Sequence, residues 1–507
     1  MGLSEDTNKR VLRSSALSMG LSVLIVSACF LGALIFFPTI IYLASSNVLY
    51  TIDSPITTNF ATYNPISVQI PSEAQEFSIA SDFSNVVNFD QISLSSEQKD
   101  RLRNTGFLVI PSQDYGEMYE IYPSIHTRNN SVPNFITSDV IVHMFHTLVQ
   151  SIVKQTESMY FQQDLLDMTR QLLTSSYQDY LAASEPWKSA AKSNTAIFGV
   201  AVSLLDENAS VPLEVQSLVF QEVDLIKNSQ NLTMSPILDR REDYSHYFPT
   251  GHYQDTTSLT RYYQATTWLG RILFRLQSQD QTVSLQQIKN ETRQALLITR
   301  SCQNNPSLFD SWQKIFDVSA FLGGSTEDLT LYDYSRLSFQ IFGRNPTLSQ
   351  IENNLDNFIA AAVEQAFVQK NTFTESEELG YRFLHLRSLP DSIILQQVST
   401  LSRSMPSALD IMAVLGSSRA YQHLITDQMD TEYQNNFLFL NQTFTGFNAS
   451  DWTNSFYWLW LYTLMPLLSE KGESFLPFMR QAGWKDKDLI AALGSWTELR
   501  QEAPLYA

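Results

Sequence analysis

Cysteine is nearly absent from this chain. Only Cys29 and Cys302 occur in 507 residues, and Cys29 lies in an apolar run. No internal disulfide can hold the main body, and no CxxC pair is present to build a cysteine-type zinc site. The fold must rely on burial, and Cys302 reads as a buried thiol. Basic residues are also scarce, 33 against 52 acidic ones, for a formal net charge of −19. Such a chain repels phosphate backbones, which excludes nucleic acid as a partner and disfavours docking of the body on an anionic bilayer. Several catalytic signatures are missing too. There is no HExxH, P-loop, GxGxxG fingerprint or EF-hand loop. Ser417 and Ser495 each follow a glycine, but neither sits in GxSxG. No repeat of fixed period is evident, which argues against a regular solenoid.

Charge is absent altogether between Arg13 and Asp53, and Ala16 to Ala44 is almost wholly apolar. About 20 apolar residues cross a bilayer as a helix, so this run is long enough. Lys9, Arg10 and Arg13 precede it. The positive-inside rule keeps that flank in the cytoplasm and puts the rest outside. The reading is therefore a cytoplasmic tail over 1–13 and a signal-anchor over 14–45, in a single-pass protein of the cell membrane. A cleaved signal peptide and a lipoprotein box at Val26-Ser27-Ala28-Cys29 are the alternatives; the length of the apolar run favours the anchor. All three place the body on the same side. Six Asn-x-Ser/Thr sequons, at Asn129, Asn208, Asn231, Asn290, Asn441 and Asn448, are compatible with that side.

Residues 46–94 are rich in Ser, Thr, Asn and Pro and read as a stalk or irregular N-terminal wrap. Ser95 caps a short helix, and Gly106 to Pro111 reads as a strand. From about 137 the pattern turns helical. Amphipathic stretches run over Phe161–Leu181, Ala190–Leu205, Val211–Ile226, Leu259–Leu276, Leu285–Cys302, Leu348–Val368, Ala408–Leu415, Trp452–Leu468 and Lys487–Trp496. Prolines 212, 236, 306, 346, 390 and 406 punctuate them. The expected fold is mainly α: antiparallel helix pairs over 95–507, with an α/α toroid as the specific architecture and a few short strands near the N-terminal side.

An ordered set of short blocks carries a resemblance. It begins with Asn104-Thr105-Gly106-Phe107 and the run from Val132 to His146. Glu242 to Ser245, Pro249 to Tyr253, Trp268 to Arg271 and Glu327 to Thr330 follow, then Arg387 to Ser392, Ala408 to Ser417 and Leu493 to Arg500. Over about 95–507 this order resembles the domain of unknown function 3160 family of bacteria and archaea. The resemblance implies a predominantly helical, secreted or membrane-attached protein, and supplies no reaction and no catalytic residue. Two departures stand out. The family pattern has Arg where Thr250 precedes Gly251, and His-Asp where Gln501-Glu502 stand. The family pattern also continues past Ala507, so the chain is expected to be a fragment.

The candidate chemistry is polar and clustered. Asp139, His143 and His146 are spaced i, i+4, i+7 and share one helix face. Two imidazoles and an acid suit zinc or iron, with a further ligand required from another segment, such as His252 or Asp243. Glu157 lies on that face too far along to share the metal. Glu242 to Tyr253 gathers carboxylates, imidazoles and phenols in one loop, and Asp139, His143, Glu242, Asp243 and His252 are the catalytic candidates. Glu327, Asp328 and Asp333 offer paired acids for glycoside cleavage, or helix caps, and Arg271 an internal ion pair. Trp452, Phe456, Tyr457, Trp458 and Trp460 read as core. Two functions fit: a membrane-tethered domain binding a cell-surface glycan or protein ligand, and an extracytoplasmic hydrolase, glycan-acting and metal-dependent. Spatial convergence of the candidates would favour the hydrolase.

The topology is checked by adding protease to intact cells or spheroplasts. The body should be degraded; full protection, or its recovery in the soluble cytoplasmic fraction, contradicts the anchor.

Overall fold

The computed structural model describes residues 76–505 apart from 111–119, 121, 124–133, 229–230, 325, 370–377, 385–386, 388 and 426–429. The segments expected to form the cytoplasmic tail and signal-anchor, and most of the expected stalk, lie outside the described residues. Among the described residues no helix is long and apolar enough to cross a membrane.

The fold is mainly α. Helix α1 is Ser96–Thr105, started by a capping box between Ser95 and Gln98. Then follow α2 Ser138–Thr156, α3 Gln162–Ala182, α4 Trp187–Leu205 and α5 Leu213–Asn228. Next are α6 Thr257–Arg271, α7 Leu285–Asn304, α8 Pro306–Gly323 and α9 Leu331–Phe342. The C-terminal part holds α10 Leu348–Asn353, α11 Leu355–Gln369, α12 Pro390–Val398, α13 Ala408–Val414 and α14 Ser418–Leu424. It ends with α15 Thr431–Gly446, α16 Ala449–Trp452, α17 Phe456–Leu468 and α18 Ala482–Glu502. The strands are few and antiparallel: β1 Leu232–Met234 pairs with β2 Arg241–Asp243, and β3 Leu273–Gln277 with β4 Leu379–Arg382.

The periodic stretches mark the helices well where one face is apolar. Differences have local causes. Pro306 and Pro390 begin helices instead of ending them, because proline is suited to the first turn, whose N–H groups lack partners. The stretch 259–276 ends as a helix at Arg271, and its last residues form β3 against β4. The run 348–368 breaks at Asn354 into α10 and α11. The strand expected at Gly106–Pro111 is not formed: residues 107–110 are irregular. Phe107 instead packs on Phe478 and Trp484, so aromatic burial sets this segment's path. Among the described residues the strands lie between Leu232 and Arg382.

Helix α4 is the inner element. It packs against α3, α5, α6 and α7, and Ala190, Phe198, Val200, Ala201 and Leu204 on it are fully buried. A helix buried nearly all round needs small residues where neighbours come close. Gly199 is one: a Cβ there would stand 2.9 Å from Val219 on α5. Trp268 and Trp312, also fully buried, donate their indole N–H to the Ile197 and Phe383 carbonyls. Cys302 is a free thiol in this core. Trp452, Tyr457 and Trp460 are likewise core. Helix α18 packs on both α17 and α2, bringing the last described helix against the first long one among the described residues.

Gly380 tests the sheet. A Cβ there would fall 2.5 Å from the Phe274 carbonyl oxygen across the β3–β4 pair. Backbone cannot yield as a side chain can, so Gly380→Ala should cost about 1–3 kcal/mol, read as a lower urea midpoint.

Candidate functional site

Helix α2 does not end cleanly. It runs through a π-helical turn, Glu157–Phe161, into α3. Such turns insert a residue into the helical ladder and often re-aim side chains at functional sites. Here Glu157 is buried completely. The 3-10 turn Gly251–Gln254 brings His252 and Tyr253 to it. His252 Nε2 lies 2.8 Å from Glu157, and the Tyr253 hydroxyl donates to the other oxygen at 2.7 Å. The last turns of α18 supply the third side. His252 Nδ1 lies 2.6 Å from Glu502 Oε2, and Gln150 of α2 donates to Glu502 Oε1 at 2.8 Å.

Gly251 is what lets the turn dock there. Its φ is +54°, and a Cβ would sit 2.6 Å from the Gln501 carbonyl oxygen of α18. The loop is thus seated directly on the helix that carries Glu498 and Glu502.

His143 and His146 lie a turn apart on α2 and face that same helix. His143 Nδ1 is 2.6 Å from Glu498 Oε1, and His146 Nδ1 is 3.4 Å from the same oxygen. On its far side His146 Nε2 is 3.5 Å from Glu502 Oε1. These two contacts have ion-pair distances but not hydrogen-bond geometry, so both buried ring nitrogens of His146 lack a formed hydrogen bond. Among the described residues, His143, His146 and Glu498 offer ligand atoms that all lie within 4.8 Å of one another.

The electrostatics follow from burial set against charge. Burial opposes charge on His146, but Glu498 and Glu502 outweigh it and push the imidazole up to about 9. For His252 burial is again the opposing effect, overcome by Glu157 and Glu502, and its pKa also rises to about 9. Glu502 answers in the other direction. Burial would raise it, yet His146 and His252 hold it down to about 2. Glu498 is lowered as well, its burial outweighed by His146 and His143.

The structure sorts the sequence candidates. His143 and His146 converge, His252 joins them through Glu502, and Glu157 enters through His252, not through any shared ligand position. Asp139 does not belong to the group. It accepts from the Tyr122 hydroxyl at 2.5 Å and from Thr137, and lies 3.3 Å from Lys487, so it organises the start of α2. Glu242 is turned away in an ion pair with Arg271 and receives the Tyr247 hydroxyl. Asp243 caps the 3-10 turn Tyr244–Tyr247 by accepting from the Ser245 N–H. The paired-carboxylate arrangement is not assembled: Asp328 pairs with Arg382, and Asp333 closes the capping box of α9 with Thr330. Ser417 caps α14, and Ser495 accepts from the Trp460 indole.

Sequence reasoning missed Glu498 and Glu502 as site residues. Their i, i+4 spacing was visible. Their pairing with histidines some 350 positions earlier was not, because nothing local links them.

The chain belongs to the family described as Protein of unknown function (DUF3160), whose model matches residues 95–507. No curated protein and no solved structure matches it.

The buried relay has a pH signature. His252 has its pKa raised from 6.5 to about 9, so its contribution to stability is complete below pH 6.5 and is lost as pH rises through about 9. Glu502 is lowered from 4.5 to about 2, so its contribution is present above pH 4.5 and lost as pH falls through about 2. The melting temperature should therefore be flat between about pH 4.5 and 6.5 and decline toward 9. In His252→Gln the alkaline decline should shrink, with a lower plateau. An unchanged alkaline slope would mean the imidazole is not held as a cation.

Proposed function

We propose that this DUF3160 member is a membrane-tethered extracytoplasmic domain that binds a divalent transition metal ion through His143, His146 and Glu498. The observation that carries the reading is one helix face of α2 presenting two Nδ1 atoms to a single carboxylate oxygen of α18. The donor set, two imidazoles and one carboxylate, suits zinc or non-haem iron. Glu502 fits the role of an outer-shell carboxylate. It faces Nε2 of His146 while Nδ1 faces the ligand position, an arrangement that fixes the ring and raises its basicity. His252 and Glu157 in turn fix Glu502.

Tethering rests on the uncharged run between Arg13 and Asp53 and its basic flank. A binding role for the domain is favoured because Asp139, Glu242 and Asp243 are engaged at a helix start, in an ion pair and in a cap, and none contacts the His143–His146–Glu498 cluster. The partner class remains a cell-surface glycan or protein ligand. A second reading, metal-dependent hydrolysis, has one observation in its favour. Three protein ligands leave a coordination position open, as catalytic zinc sites do and structural ones do not.

The test is metal titration of the full chain in detergent after chelation. One Zn²⁺ or Co²⁺ per chain is expected, with affinity rising from pH 6.5 to about 9, because the metal must displace the proton held on His146. His146→Ala and Glu498→Ala should each abolish stoichiometric binding. Wild-type protein that binds no metal above trace at pH 8 contradicts the proposal. Hydrolysis of ester or glycan substrates by the loaded wild type, absent in His143→Ala, would select the second reading.

A further inference from the structure

A separate cavity of about 330 Å³ lies between α6, α8, α12 and the end of α18. Its charge is opposite to that of the protein. Among the described residues Arg271, Arg387 and Arg500 line it and no Asp or Glu does, although acidic residues outnumber basic ones 52 to 33 in the chain. The carboxylates that steady two of the arginines sit behind the wall: Glu242 pairs with Arg271, and Asp391 lies 3.6 Å from Arg500. Asp391 is fully buried and shared with the Tyr457 hydroxyl and the Trp496 indole, so it is committed to the core.

The arginines are held in place, which is what a binding site requires. Arg387 is 5 % exposed and donates through Nε to the Gly324 carbonyl, with its guanidinium 5.8 Å from the centre of the Phe316 ring. Arg271 engages Glu242 through Nε, and Arg500 engages Ser392 through Nη1. Each planar fork carries five N–H donors, so Arg271 and Arg500 keep terminal N–H groups for a ligand. Phe316 and Leu384 add an apolar wall. A pocket of this size, with convergent polar groups on an apolar lining, is the usual form of a small-molecule site.

We infer that this cavity is a binding site for a small organic anion bearing carboxylate or phosphate oxygens. Guanidinium forks recognise such oxyanions in bidentate fashion, and the contact strengthens where the apolar wall lowers the local dielectric. The inference is independent of the metal centre. Arg500 projects from α18 between Glu498 and Glu502, and two residues of helix turn it to a different face.

Isothermal titration of the chelator-treated full chain at low salt tests this, with citrate, inorganic phosphate, glucose 6-phosphate, glucuronate and, as a neutral control, glucose. At least one organic anion should bind saturably, with glucose silent and affinity falling as salt rises. Arg271→Gln should weaken binding about tenfold or more. Because that change also breaks an ion pair, Ser319→Asp is the second variant. Ser319 lines the cavity and bonds only the Ile315 carbonyl. An added carboxylate there should raise the melting temperature by relieving repulsion among the arginines, and should abolish anion binding. Wild-type protein that binds none of these anions, or binding unaffected by Ser319→Asp, overturns the inference. Binding of inorganic phosphate alone, equal in the variants, also overturns it.

Discussion

The contact on which the site depends is between two carboxylates of the terminal helix and three imidazoles contributed by earlier segments. Glu498 and Glu502 on α18 face His143 and His146 on α2 and His252 on a 3-10 turn. Isolated buried charges are costly, and these are tolerated because Glu498 and Glu502 face the imidazoles of His146 and His252, whose pKa values they raise. Such pairs are weak sources of net stability, but breaking one leaves an uncompensated charge. Their effect is to fix one register of α18 on α2. The π turn at Glu157 and the absent side chain of Gly251 are local concessions to that register.

How much of this was legible in the sequence follows from the range of each signal. Periodicity is local, so α3 to α5 and α7 emerge close to their observed limits. The capping box at Ser95 is equally local. In α8 the proline that reads as an interruption in fact starts the helix. The strand read at 106–111 failed because β propensity needs a partner edge, which no local signal supplies. The strands that do form gain theirs from segments about 100 residues apart in the case of β3 and β4.

The same limit governs the site. His143 and His146 were readable as one helix face, and the loop around His252 as a store of polar groups. Asp139, one turn before His143, looked equally eligible, yet the start of a helix is where acids find N–H groups and hydroxyls, and it was taken up there. Glu498 lay inside a recognisable block without any cue that it faced the histidines. Glu502 lies one turn further on, and in the structure its carboxylate links His146 to His252. Charge at a distance behaves alike: a net −19 protein gave no hint of an arginine-lined cavity, because sequence totals do not record which charges share a wall.

Whether α2 and α18 together hold one metal ion is decided at His143, His146 and Glu498. Anomalous diffraction from crystals of the domain grown with Zn²⁺ or Co²⁺ tests it most directly. A single strong peak is expected about 2.0–2.2 Å from His143 Nδ1, His146 Nδ1 and a Glu498 oxygen, with Glu502 against His146 Nε2. Strong peaks only at surface carboxylates, with His143 and Glu498 still directly hydrogen-bonded, would contradict it.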